Sequence, residues 1–130
     1  MKKNVSGFTL VEVMIVVLII ALLATIAMPG LLRARINAND ASAKASLKII
    51  SNALETYMSA NDTYPPNVTS LLSVTPPYLP IDYFTGTHDG FTFTVDSLSS
   101  QLYSVTAAPT NSNMGSGSFT ISTGAVLTAN

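Results

Sequence analysis

At 130 residues, the chain has room for one small domain and an appendage. Charged residues make up only 10%, well below the roughly 25% of a soluble domain, while 48% are apolar, which favours a chain that lives in a membrane or buries much of its surface in an assembly. Net charge is −1, there is no cysteine, and no Lys or Arg follows Lys48, so disulfides, thiolate chemistry and Cys metal sites are excluded and the second half has no basic nucleic-acid footprint.

A basic start, Lys2-Lys3, leads into Gly7-Phe8-Thr9-Leu10-Val11-Glu12 and then an almost unbroken apolar run from Val13 to Met28. As a helix rising about 1.5 Å per residue, Phe8 to Met28 reaches roughly 30 Å, the thickness of a hydrocarbon core. Glu12 stands at the mouth of this segment. An ionised side chain at a bilayer centre costs about 2.5–3.5 kcal/mol, less toward the edge, so Glu12 is a functional-site candidate with a partner to be found. A secretory signal shares the basic start, but Ala24-Thr25-Ile26-Ala27 matches its cleavage pattern poorly. An uncleaved membrane anchor fits the length and gives no reason for Glu12.

The segment resembles the prepilin signal of type IV pilins and type II secretion pseudopilins, with a short basic leader, Gly7, Phe8, and Glu12 four residues after that Phe. The resemblance implies cleavage between Gly7 and Phe8 by a membrane prepilin peptidase, N-methylation of Phe8 by the same enzyme, and retention of the apolar segment. Cleavage creates an ammonium at Phe8, and positions i and i+4 share a helix face whose N-terminus favours anions. At 4 Å and an effective dielectric of about 20, such a pair is worth about 4 kcal/mol before a desolvation cost of several kcal/mol per ion. We expect Glu12 of an incoming subunit to pair with the Phe8 amine of a neighbour, drawing it out of the membrane and fixing its axial register. A pair within one helix and a snorkelling carboxylate are the local alternatives. Lys2 and Lys3 oppose Arg33 and Arg35 across the span, so the charges give no orientation; the resemblance implies an inside N-terminus.

Pro29-Gly30 ends the apolar run. Proline lacks a donor and clashes with the carbonyl four residues earlier, and glycine adds backbone freedom. A helix stop at the membrane surface and a kink or melted stretch within one long helix are both permitted, the second being what the resemblance implies. Leu31 to Ala60 reads as helix, with Leu47, Ile50, Leu54, Tyr57 and Met58 at three- and four-residue steps and Ile36 and Ala43 extending the stripe. Lys44, Lys48, Asn52 and Glu55 mark a polar face, and Asp40 with Lys44 reads as an i,i+4 ion pair. The alanine-rich stretch Ile36 to Ala45 suits close approach at a subunit interface.

Asn61 to Pro66 breaks the helix, Thr69 to Val74 holds one helical turn, and Pro76 to Pro80 is extended loop. Alternation predicts strands at Phe91–Val95, Gln101–Ala107 and Ser118–Ser122, with a short last strand at Ala125–Thr128. Ser97–Ser100 is the expected hairpin turn, Asn111–Gly117 a flexible loop and Thr123-Gly124 a turn. The expected fold class is α+β: a long N-terminal helix whose second half packs on a small antiparallel sheet, type IV pilin-like. Its parts are a leader (1–7), an apolar polymerisation helix (8–30), an amphipathic helix (31–60) and a loop-plus-sheet region (61–130) that completes the globular head.

Catalysis rests on His88 alone, beside Asp89 in a turn, and a surface turn is the better reading. No phosphate loop, zinc pair or EF-hand is present, and no cofactor is expected. Major secretion pseudopilins hold calcium near the C-terminus, but no acid follows Asp96, and Asp82, Asp89 and Asp96 read as solvated turn residues. Asn61-Asp62-Thr63 and Asn67-Val68-Thr69 match a glycosylation pattern that is weak in bacteria. The resemblance implies a non-enzymatic filament subunit. Its partners would be copies of itself in a helical homo-oligomer, the peptidase and an inner-membrane assembly platform. It would be a single-pass inner-membrane precursor first, then part of a periplasmic or cell-surface filament. A secretion pseudopilin is the first alternative, and an anchored binding module that never polymerises is the second.

Overall fold

Helix formation carries through the first half of the chain without a stop: α1 spans Leu10–Asn61 in a computed structural model that describes residues 7–130. The predicted leader, with Lys2 and Lys3, lies outside the described residues except for Gly7. Two compact units divide the chain, one ending at Ala34 and the other covering Arg35–Asn130.

In the first unit the apolar side chains from Phe8 to Leu32 are exposed almost without exception. This part of α1 is long and apolar enough to cross a membrane. Pro29 and Gly30 lie inside α1, which overturns a helix stop at the membrane surface. An interior proline costs about 3 kcal/mol or more, but Ala24, Ala27, Met28, Leu31, Leu32 and Ala34 around it are good helix formers and carry the helix past.

In the second unit the apolar stripe of α1 becomes core. Ala43, Leu47, Ile50, Ala53 and Leu54 are buried, with Tyr57 and Met58 partly so. They cluster with one face of a four-stranded antiparallel sheet made of β1 (Phe91–Leu98), β2 (Tyr103–Pro109), β3 (Phe119–Ser122) and β4 (Val126–Ala129), in that spatial order. Alternation aims Phe91, Phe93, Tyr103, Val105, Ala107, Phe119 and Ile121 at the core, each large side chain worth about 1.5–3 kcal/mol when fully buried. The opposite face carries a row of threonines in register across all four strands, Thr94, Thr106, Thr120 and Thr128. The segment before the sheet adds Tyr64, Leu71, Leu79 and Tyr83 to the core, Leu71 from the one-turn helix α2 (Ser70–Ser73).

Strand ends differ from the sequence reading. β1 runs to Leu98 through a bulge between Val95 and Ser97, so its turn falls at Ser99–Leu102 instead of Ser97–Ser100, and β2 begins at Tyr103 instead of Gln101. The bulge breaks the two-residue alternation that would mark the continuation. His88 and Phe91 exchange two backbone hydrogen bonds of 2.9 Å around Asp89-Gly90, whose φ values of 51° and 82° meet the positive-φ requirement of a type I′ hairpin turn.

Candidate assembly site at the start of α1

Thr9 precedes the first helical residue, and Glu12 is three positions on. The Thr9 N–H and Oγ1–H each donate to Glu12 Oε2 at 2.8 Å, and the Glu12 N–H donates back to Thr9 Oγ1 at 3.2 Å. This is a capping box, in which two otherwise orphaned backbone donors are satisfied reciprocally. In the single chain the Glu12 carboxylate is therefore held by its own helix start. The sequence reading passed over Thr9, although the pattern Thr-x-x-Glu ahead of an apolar run was its signal. Gly7 and Phe8 are exposed on either side of the predicted cleavage point, Phe8 at 89%.

Other acids that the sequence singled out have local or structural partners. Asp82 accepts from the Phe84 N–H at 2.9 Å and from Thr85 Oγ1 at 2.6 Å, and these bonds hold its carboxyl below the ordinary range. Asp89 accepts from Ser42 Oγ, and Asp96, placed by the bulge, accepts from Thr106 Oγ1 at 2.6 Å. The His88 ring lies 5.3 Å from that of Tyr83 and 6.2 Å from that of Phe93, and its Nε2–H donates to the Asp82 carbonyl at 3.1 Å. Among the described residues, no three His, Asp or Glu side chains are grouped to hold a metal ion.

Two acids on α1 do more than the sequence indicated. Asp40 is buried, 7% exposed, and accepts from the Ser116 N–H at 3.0 Å and from Ser116 Oγ. Its expected partner Lys44 instead lies 4.5 Å above the Phe119 ring. The loop at Asn111–Gly117, expected to be flexible, is thereby tied to α1. Glu55, expected on a polar face, accepts from Tyr64 OH at 3.1 and 3.2 Å, from Tyr103 OH at 3.1 Å and from the Gly124 N–H at 3.1 Å. Burial first, then the hydrogen bond and charge of Glu55, push the Tyr64 phenol up to about 12. Burial also raises Tyr103, with Glu55 adding to it.

Comparison with known proteins places the start of the chain firmly. The family model described as the prokaryotic N-terminal methylation motif matches residues 2–28. The type IV wide pilus major component PilA4 of Thermus thermophilus is 42% identical over 72 residues, 55% of this chain and 55% of that protein. The type II secretion system core protein G of Aeromonas hydrophila is 38% identical over 64 residues, 49% of this chain and 45% of that protein. The competence protein ComGC of Halalkalibacterium halodurans is 35% identical over 74 residues, 55% of this chain and 72% of that protein. The chain spans about half the length of the first two.

Proposed function

The chain belongs to the superfamily of type IV pilins and type II secretion pseudopilins, and on that premise we propose that it is a structural subunit of a type IV pilus filament. The observation that carries this is the exposed apolar part of α1 behind the Gly7–Glu12 motif. Side chains from Phe8 to Leu32 leave an apolar surface that lipid covers before assembly and that neighbouring copies cover afterwards. A prepilin peptidase cuts between Gly7 and Phe8 and methylates the new Phe8 amine. The mature segment begins at Phe8, Pro29 and Gly30 supply a kink or extensible point, and the product moves from an inner-membrane precursor to a periplasmic or surface filament.

Glu12 is the assembly residue. Its capping box keeps the carboxylate satisfied in the separate chain, and the Phe8 ammonium of a neighbour offers a stronger, charged partner in a dry filament core. The role is structural and not enzymatic. The likeness to secretion core protein G favours a second reading, a short periplasmic pseudopilus, and an inner-membrane platform serves either machine.

Two measurements test the proposal. Mass spectrometry of the membrane fraction should find a chain that starts at N-methylated Phe8; an intact leader sinks the filament reading and leaves a plain anchor. Electron microscopy of sheared surface material should then show fibres containing this chain. Processed chain without surface fibres moves the assignment to the pseudopilus.

A further inference from the structure

The loop after β2 is fastened to α1 at two points, Asp40 on Ser116 and Asn39 Nδ2 donating to the Met114 carbonyl at 2.9 Å. The Met114 sulfur faces one further donor, Arg35 Nη2 at 3.6 Å, and lies 3.9 Å from the same Asn39 Nδ2. Behind it lies Gly90, where a Cβ would fall 3.0 Å from that sulfur. A thioether is only a weak acceptor, so the guanidinium is poorly used there. Met114 is half-buried and Arg35 exposed, which leaves solvent a route to this contact. The other described methionines are Met14 and Met28, exposed in the apolar part of α1 that detergent covers, and Met58, half-buried like Met114 but packed against the core. The chain has no cysteine to intercept an oxidant first.

We propose that Met114 is a reversible oxidation site whose sulfoxide is received by the Arg35 guanidinium, so that oxidation tightens the loop on α1 instead of loosening it. In the forward step hydrogen peroxide gives one oxygen to the sulfur. The sulfur lone pair forms the S–O bond, the O–O bond breaks, and the departing oxygen leaves as water after proton transfer. The sulfur is oxidised by two electrons and the peroxide reduced by two. Two thiols of a sulfoxide reductase system reverse it, ending as a disulfide with release of water. Sulfoxide formation ordinarily disrupts apolar packing. At this rim position the new oxygen is a strong acceptor facing a cation, and hydrogen bonds to an ionised partner are about twice as strong as neutral ones.

The experiment treats the full chain in detergent with hydrogen peroxide and follows peptic peptides by mass spectrometry, with Met58 as internal reference. Met114 should oxidise ahead of Met58, its sulfoxide should raise the head's melting temperature by about 4–8 °C, and amide exchange at Ser112–Gly117 should slow. Arg35→Ala should abolish the rise, and Met114→Leu, close in volume, should fold normally and show no response. Equal oxidation of Met58, a lowered melting temperature on Met114 oxidation, or a rise that survives Arg35→Ala overturns the proposal.

Discussion

The Glu55 carboxylate accepts the Tyr103 hydroxyl hydrogen at 3.1 Å, joining α1 to β2 across 48 residues of sequence. The same carboxylate takes Tyr64 OH and the Gly124 N–H, and Ser51 Oγ lies 2.8 Å from Tyr103 OH. One acid therefore holds the helix, the loop after it, a central strand and the β3–β4 turn together. Glu55→Gln keeps the size but removes the charge and one acceptor. We expect a loss of about 1.5–3 kcal/mol in head stability, read by urea unfolding with near-ultraviolet circular dichroism. An unchanged midpoint would show that the carboxylate contributes nothing net.

Alkaline pH should act on the same cluster. The Tyr64 phenol is raised from 10.0 to about 12 in the folded chain, and Tyr103 is raised too. A raised acid favours its neutral form in the fold, so the stability it lends is complete below pH 10 and is lost as pH climbs toward about 12. Titration of phenolate absorbance should show tyrosines ionising late, with unfolding in that window. In Glu55→Gln the late phase should move to lower pH, because the negative charge beside the phenols is gone while burial remains.

Asp40 and Ser116 form the other long-range tie, 76 residues apart in sequence. Asp40→Asn loses the charge-assisted acceptor in a buried setting and should cost about 1–3 kcal/mol. Ser116→Ala should cost less, because the Ser116 N–H can still donate to Asp40. A double-mutant cycle on melting temperature should find the pair non-additive; strict additivity would mean that the two side chains act independently.

Gly115 sits where a Cβ would fall 2.3 Å from Phe91 Cζ and 2.9 Å from Pro109 Cβ. Phe91 is fully buried and cannot swing away. Gly115→Ala should destabilise the head by about 1–3 kcal/mol through overpacking. Phe91→Leu in the same background should recover part of the loss if the clash is the cause.

At the assembly site, Glu12→Gln should leave cleavage after Gly7 and methylation of Phe8 intact while filaments disappear. Thr9→Ala removes the cap, at about 0.5–2 kcal/mol of helix stability, but leaves the carboxylate for a neighbour. Fibres should still form from it. Equal fibre yield from Glu12→Gln and the parent would remove Glu12 from the assembly mechanism.

Local pattern was enough for much of this chain. The three- and four-residue steps of Leu47, Ile50 and Leu54 mark the buried stripe because helix geometry alone puts them on one face, and alternation in Phe91–Val95 and Phe119–Ser122 marks the inward sheet face in the same way. Thr9-x-x-Glu12 carried an equally local signal, both partners lying within one helical turn, although the sequence reading passed over it. Tertiary structure alone decided what became of Asp40, Lys44 and Glu55. On an isolated helix each would face water or its i+4 neighbour; once the sheet and loop close over α1, Ser116, Phe119 and Tyr103 arrive from dozens of residues away and replace those partners. The extension of β1 past Val95 belongs with them, because a bulge is defined by the strand it pairs with, and no single strand's sequence contains its partner.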